Sequence, residues 1–179
     1  RVGTCSLRRR AQLLASRPDL VVADVRGNVQ TRLRKLDAGE FDAILLAAAG
    51  LLRLGLGGRI TAAMEPPAWL SAPGQGAIAV QARAGDPVVA PLLELLHDTP
   101  TGVAVAAERA LLNTLEGGCQ VPIGAAVLEV DGALVLHGLV AALDGTAVVR
   151  GAEPVDASAP AEAGRRLAAR LVAEGADEI

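Results

Sequence analysis

Arg1-Val2-Gly3-Thr4-Cys5-Ser6-Leu7-Arg8-Arg9-Arg10 reads as the tail of a β-strand, a short polar loop and the first turn of a helix. Ser6 stands where an N-cap belongs, because a serine hydroxyl accepts from the free amides of a first helical turn. Leu7, Ala11 and Leu14 then recur on one helical face through residue 15, and Pro18 stops the helix. Residues 20–25 are an apolar strand. Arg26-Gly27-Asn28 is a turn, with Asn28 capping a second helix through residue 36 that ends near Gly39. Residues 41–47 read as a buried strand, and residues 48–54 as a short helix closed by Gly55 and Gly57. Strand and helix alternating at such short intervals predict a parallel, doubly wound α/β sheet. Ligands of such sheets sit at the carboxyl ends of the strands. The turns at residues 4–6, 26–28 and 47–50 all fall on that edge.

The second half changes character. Pro66-Pro67 and Pro73-Gly74-Gln75-Gly76 bracket a connector. Gln75 between two glycines is either an ordinary link or a hinge where backbone comes close to something else. Residues 77–82 read as another strand and residues 86–97 as a helix. Pro100 opens a longer helix over about residues 103–115. Residues 123–130, 133–143 and 146–150 are strands joined by Asp131-Gly132 and Asp144-Gly145, both hairpin signals. Residues 161–174 form an amphipathic helix with Leu167, Leu171 and Val172 inward and Arg165, Arg166 and Arg170 mostly outward. This half is expected to be α+β, with a small three-stranded antiparallel sheet on helices.

Composition excludes several classes. The 179 residues are 51% apolar, enough to bury a core. A net charge of −3 gives no basic field for nucleic acid, and 1% aromatics without tyrosine gives no stacking platform. Two distant cysteines make neither a disulfide framework nor a zinc site, so both read as reduced thiols in a cytoplasmic protein. The apolar run at residues 43–52 is too short to cross a bilayer, and Arg53 follows it. The chain opens on Arg1 in what reads as a strand tail, so an N-terminal part is expected to lie elsewhere. Residues 77–82 would then be a strand without neighbours, and such an edge is expected to make the chain poorly soluble or oligomeric alone.

Arginines dominate the candidate chemistry. Cations at a helix N-terminus are unfavourable unless an anion is bound, yet Arg8, Arg9 and Arg10 all sit in the first turn. Two readings fit: a carboxylate cradle of free amides, the Ser6 hydroxyl and guanidinium forks, or a solvated face. Arg26 repeats the pattern at the next strand end, with Arg32 one turn beyond Asn28. Arg53 is explained equally by a ligand or a structural ion pair. In Glu116-Gly117-Gly118-Cys119-Gln120-Val121-Pro122 the glycines let the chain turn a thiol away from the preceding helix, though a lone cysteine is also a common packed residue. Cys5 reads as a packed residue, Glu108 and Arg109 as members of a buried ion pair, and His97 and His137 carry no assigned chemistry.

Taken together, Gly3-Thr4-Cys5-Ser6-Leu7-Arg8-Arg9, Arg26-Gly27-Asn28-Val29 with Thr31-Arg32-Leu33, residues 41–47 running to Gly50-Leu51 and Arg53-Leu54, Pro73-Gly74-Gln75-Gly76-Ala77, Ala107-Glu108-Arg109 and residues 115–124 closely resemble the porphobilinogen deaminases (hydroxymethylbilane synthases), in the family's order and almost end to end. The resemblance implies a three-domain transferase that joins porphobilinogen units head to tail, losing ammonia each time, and releases a linear tetrapyrrole for porphyrin and heme biosynthesis. It implies a dipyrromethane cofactor in thioether linkage to Cys119. Thr4, Ser6, Arg8, Arg9, Arg26, Arg32, Gly50 and Arg53 are implied to hold the carboxylates of the cofactor and the growing chain. No metal is implied. The family's catalytic aspartate lies in the first domain, and Asp24, Asp37 and Asp42 match no such position, so no catalytic residue is assigned here. By resemblance, residues 1–70 are most of a periplasmic-binding-protein-like second domain, and residues 71–97 return to the first. Residues 98–179 are then the C-terminal domain, and the whole protein is a monomer. The competing reading is a non-catalytic fragment that binds a polypyrrole or other polycarboxylate.

Overall fold

The structure, a computed structural model, describes residues 1–115 and 122–179. The first unit is built on β1 (Val2–Gly3), flanked in parallel by β2 (Val22–Ala23) and β3 (Ala43–Ile44) in the order β2-β1-β3. The helices α1 (Leu7–Ser16), α2 (Val29–Asp37) and α3 (Ala48–Arg53) follow the successive strands. The expected strands at residues 20–25 and 41–47 thus pair over only two residues each. Both ladders pair with Val2 and Gly3 of the central strand. The expected burial of the third strand also fails, since Ala43 is exposed. Val25 and Phe41 are nonetheless buried. They close around Gly3, where a Cβ would meet Ile44, Phe41 and Val25 at 3.0 Å each.

Both expected caps form. The Ser6 hydroxyl accepts from the Arg9 amide, and Asn28 Oδ1 accepts from the Thr31 amide at 2.9 Å. Gly55, at φ +69°, follows α3 as the sequence predicts.

Residues 77–82 are a correction. They carry no ladder among the described residues, and Ile78 and Val80 are 80% and 58% exposed. An apolar run forms a strand only where another strand offers its amides and carbonyls, and no described strand lies beside this one. The next helix, α4 (Val89–Leu96), has no buried residue and is preceded by Asp86, whose carboxylate accepts from the Val88 and Val89 amides at 3.0 Å.

The second unit has the expected architecture. Helix α5 (Thr99–Thr114) starts earlier than its apolar periodicity predicts, because Asp98 Oδ1 caps the Thr101 amide at 2.9 Å and Pro100 fits the first turn. Strands β4 (Ile123–Val130), β5 (Ala133–Ala141) and β6 (Val148–Pro154) form an antiparallel sheet in sequence order. The β4–β5 turn takes positive φ at both central residues, Asp131 at 51° and Gly132 at 80°, the twist that a two-residue hairpin needs. Helix α6 (Pro160–Ala173) lies with α5 on one sheet face around Leu111, Leu136, Leu167 and Leu171. Val172, expected inward, is 40% exposed, because the buried stripe runs through Ala163, Leu167, Ala168 and Leu171. No described helix is long and apolar enough to cross a membrane.

The opposite sheet face packs against the first unit. Ala11 of α1, Leu70 of the connector, and Leu139 and Ala141 of β5 form one buried cluster. A Cβ on Gly145 would lie 2.4 Å from the Ala15 amide nitrogen, so α1 sits directly on the β5–β6 turn.

Helices α5 and α6 approach closely through Gly164, where an added Cβ would meet the Ala107 carbonyl oxygen at 2.4 Å and the Leu111 nitrogen at 2.6 Å. Both obstacles are backbone and cannot rotate away. Gly164→Ala is therefore expected to cost about 2–3 kcal/mol of unfolding free energy despite alanine's better helix propensity. Urea denaturation checks this; an unchanged midpoint would show that the helices separate freely.

Candidate functional site

Helix α1 begins where β1 ends, so its first turn stands at the carboxyl edge of the parallel sheet. Thr4 is 3% exposed, and its hydroxyl accepts from the Ser6 amide at 3.2 Å. Ser6 in turn caps the Arg9 amide at 3.4 Å. This relay fixes the loop through which the chain leaves the sheet. Cys5 lies between the two but is exposed rather than packed, with its thiol donating toward the Val25 carbonyl at 3.1 Å.

Arg8 and Arg9 leave the first turn half-buried, whereas Arg10 is exposed. Arg8 Nε donates to the Leu70 carbonyl at 3.3 Å, and its NH2 donates to Gln75 Oε1 at 3.1 Å. Arg9 donates to the Leu45 carbonyl at 3.1 Å. Arg32 reaches back to the Gly27 carbonyl at 2.8 Å. Each of the three guanidiniums is thus aimed by a neutral carbonyl or amide. Among the described residues none of them pairs with a carboxylate. Desolvation, and then the charge of Arg9, pulls Arg8 down to about 10. Arg9 is lowered by desolvation first and by Arg32 second. Burial does most of this and the neighbouring cations add to it, with no carboxylate among the described residues to offset them.

The other expected site residues are less tightly held. Arg26 is 86% exposed, with Asp24 at 3.8 Å. Arg53 is exposed and has no ion-pair partner among the described residues, which removes the structural ion pair offered for it. Gly50 is half-buried in α3, where a Cβ would lie 3.4 Å from Val29, an ordinary contact distance. Cys119 lies outside the described residues. Asp37 pairs with Arg59 on the surface, away from this cluster.

Sequence reasoning missed Gln12 altogether, and the partners of Gln75 and Glu108. Gln12 is 1% exposed and clamps the connector, donating to the Leu70 carbonyl and accepting from the Leu70 amide, both at 2.9 Å. Its signal was present: an amide one turn after Arg8 on the stripe that holds Ala11. Gln75 accepts from Arg8, so its turn touches the arginine cluster. Glu108 does not pair with Arg109. It is buried, and its carboxylate accepts from the Gly74 amide at 2.6 Å and the Val127 amide at 3.0 Å. A glutamate inside a helix does not reveal which distant amides it meets.

What this arrangement can do is bind anions. Free first-turn amides, a hydroxyl cap and desolvated guanidinium forks together suit several carboxylates.

Comparison with known proteins gives the same outline. A family model described as "Porphobilinogen deaminase, dipyromethane cofactor binding domain" matches residues 1–91. A second, "Porphobilinogen deaminase, C-terminal domain", matches residues 103–173. Curated relatives named porphobilinogen deaminase include one from Desulforudis audaxviator, 55% identical over 99% of this chain and 58% of that protein. One from Syntrophobacter fumaroxidans is 52% identical over the whole chain and 58% of that protein. One from Nitratidesulfovibrio vulgaris is 51% identical over 99% of the chain and 58% of that protein. The chain therefore spans about 58% of the length of these relatives.

The lowered Arg8 value yields a pH signature. A bound carboxylate favours the charged guanidinium, so bound Arg8 holds its proton more tightly than free Arg8. Affinity for a polycarboxylate is then level below the free value and falls as pH rises through about 10. Calorimetric titrations between about pH 7 and pH 10.5 check this. The same fall in an Arg8→Gln variant would exclude Arg8 as its source.

Proposed function

The chain belongs to the porphobilinogen deaminase family, and from that premise we propose that it is the cofactor-holding portion of a transferase that condenses porphobilinogen head to tail into a linear tetrapyrrole, with loss of ammonia at each step. The observation that carries this reading is the half-buried pair Arg8 and Arg9 at the capped end of α1, without a carboxylate partner among the described residues. Porphobilinogen brings two carboxylates per ring. A growing chain needs cations that stay charged and bind in forks, as guanidiniums do.

In this reading a dipyrromethane is held by thioether linkage to Cys119, and when bound it supplies the free pyrrole carbon from which the chain is extended. The donor set fits such a group: Thr4 and Ser6 fix the loop, while Arg8, Arg9 and Arg32 offer desolvated cations to its acetates and propionates. Arg26, exposed at the same sheet edge, and Arg53, exposed in the last turn of α3, receive carboxylates of later rings. Gly50, in the first turn of α3, leaves its backbone open to the approach of a carboxylate. The carboxylate that handles protons is an aspartate outside residues 1–179, within the further length that the relatives carry.

The same reading divides the chain. Residues 1–70 form a periplasmic-binding-protein-like domain, residues 71–97 pack with a further domain, and residues 98–179 present the cysteine. Support for the middle assignment comes from its uncovered apolar residues: Val88, Leu92, Leu95 and Leu96 are 72%, 55%, 82% and 69% exposed. The protein works as a cytoplasmic monomer.

Intact mass spectrometry tests the proposal. The protein is expected to carry a dipyrromethane adduct that Cys119→Ser abolishes, and Arg8→Leu with Arg9→Leu is expected to lower its occupancy roughly tenfold or more. An adduct that survives Cys119→Ser removes the thioether. Full occupancy in the arginine double variant removes the cradle.

A further inference from the structure

The buried carboxylate of Glu108 bridges two amides that belong to neither its own helix nor each other's segment. Strand β4 is an edge strand, and its outward amides need partners. The Ala125 amide donates to the Ser71 carbonyl at 2.9 Å, so the connector meets that edge through one backbone hydrogen bond. Two residues on, the Val127 amide takes Glu108 Oε1 at 3.0 Å instead, while Glu108 Oε2 takes the Gly74 amide at 2.6 Å. The carboxylate thus replaces backbone at the point where the connector leaves the sheet. Burying a carboxylate is costly, and burial raises the Glu108 pKa against the pull of the two amides. A smaller apolar side chain would fill the space without that cost, but it would leave the Gly74 amide and the turn untethered.

That turn leads to the arginine cluster. Residues 72–75 close through the Gln75 amide to the Ala72 carbonyl at 2.9 Å, with Gly74 at φ +73°. Gln75 Oε1 then accepts from Arg8 NH2 at 3.1 Å, and the Leu70 carbonyl accepts from Arg8 Nε at 3.3 Å. Leu70 is itself clamped by Gln12. The guanidinium of Arg8 is therefore held at both ends of one turn, and Glu108 pins that turn near its tip.

We propose that Glu108 is a positioning residue: by tethering Gly74 it fixes the 70–75 turn, and through Gln75 it sets the Arg8 guanidinium for carboxylate binding. This rests on the reading of Arg8 as a carboxylate-binding residue. The tether also links the arginine cluster to α5 of the second unit.

A double-mutant cycle with Glu108→Gln and Arg8→Gln tests it, read as affinity for a dipyrromethane tetracarboxylate and, without ligand, as amide exchange of residues 72–76. Glu108→Gln is expected to raise that exchange roughly tenfold and to weaken binding about fivefold. Arg8→Gln is expected to weaken binding roughly tenfold or more, and the double variant no further than Arg8→Gln alone. A merely structural glutamate gives additive losses, which would overturn the inference, as would unchanged exchange in Glu108→Gln. Unchanged affinity in Arg8→Gln overturns the carboxylate reading of Arg8 and the inference with it, whereas additive losses leave that reading standing. Should Glu108→Gln lose its cooperative unfolding transition, Glu108→Asp keeps the charge but is too short to span both amides, and the same criteria apply to it.

Discussion

Two guanidiniums at the positive end of a helix are the constraint around which this structure is organised. The dipole of α1, the neighbouring cations and partial burial all oppose the charge on Arg8 and Arg9. A chain free to choose would turn both side chains to water. They stay because other parts of the fold hold them: the Thr4–Ser6 relay, the Leu45 carbonyl at the end of the third strand, and the Leu70–Gln75 turn. None of these contacts neutralises a charge, so among the described residues the cluster is aimed without being satisfied. Such an arrangement suits a ligand that brings the missing negative charge, with orientation set before it arrives.

The same helix joins the two units. Its N-terminus faces the sheet edge, while Ala11 packs on Leu139 and Ala141, and Gln12 grips the connector. A rotation of α1 that freed the arginines would open an apolar cluster and strand the Gln12 amide. The energetic support for the site thus lies in packing some distance from it. Most of that packing uses small residues: Ala11, Ala141 and Gly145 permit the helix to rest on the β5–β6 turn with backbone almost in contact. Larger side chains there would lift α1 and shift every group that it presents.

How far the sequence revealed this depends on the range of the interaction. Caps, turns and hairpins are local, so Ser6, Asn28, Asp131-Gly132 and the alternating elements were all legible. The arginine cluster was legible too, because three cations beside one N-cap conflict with the helix dipole within a few residues. The partners of those arginines were not. Gln75 is far along the chain from Arg8, and a glutamine beside glycines reads equally as a link. Glu108 next to Arg109 suggested an ion pair by adjacency, but helix geometry turns neighbouring residues to different faces. Residues 77–82 had the composition of a strand, and composition cannot supply the ladder that makes one.

Holding like charges together has a further consequence. Repulsion within the cluster opposes folding when no anion is bound, so ligand and fold are coupled: whatever binds the native arginines and not the unfolded chain raises the stability of the whole by mass action. The coupling acts first on the loosest supports. Arg9 and Arg32 lean on carbonyls of their own unit, whereas Arg8 leans on the connector, which is pinned in turn from the antiparallel unit by Glu108. Relief of repulsion at Arg8 therefore reaches across the boundary between the units, while relief at Arg32 stays within one. An anion that engages Arg8 strengthens the contact between the units. One that engages only Arg26 or Arg53, exposed and untethered, leaves that contact as it was.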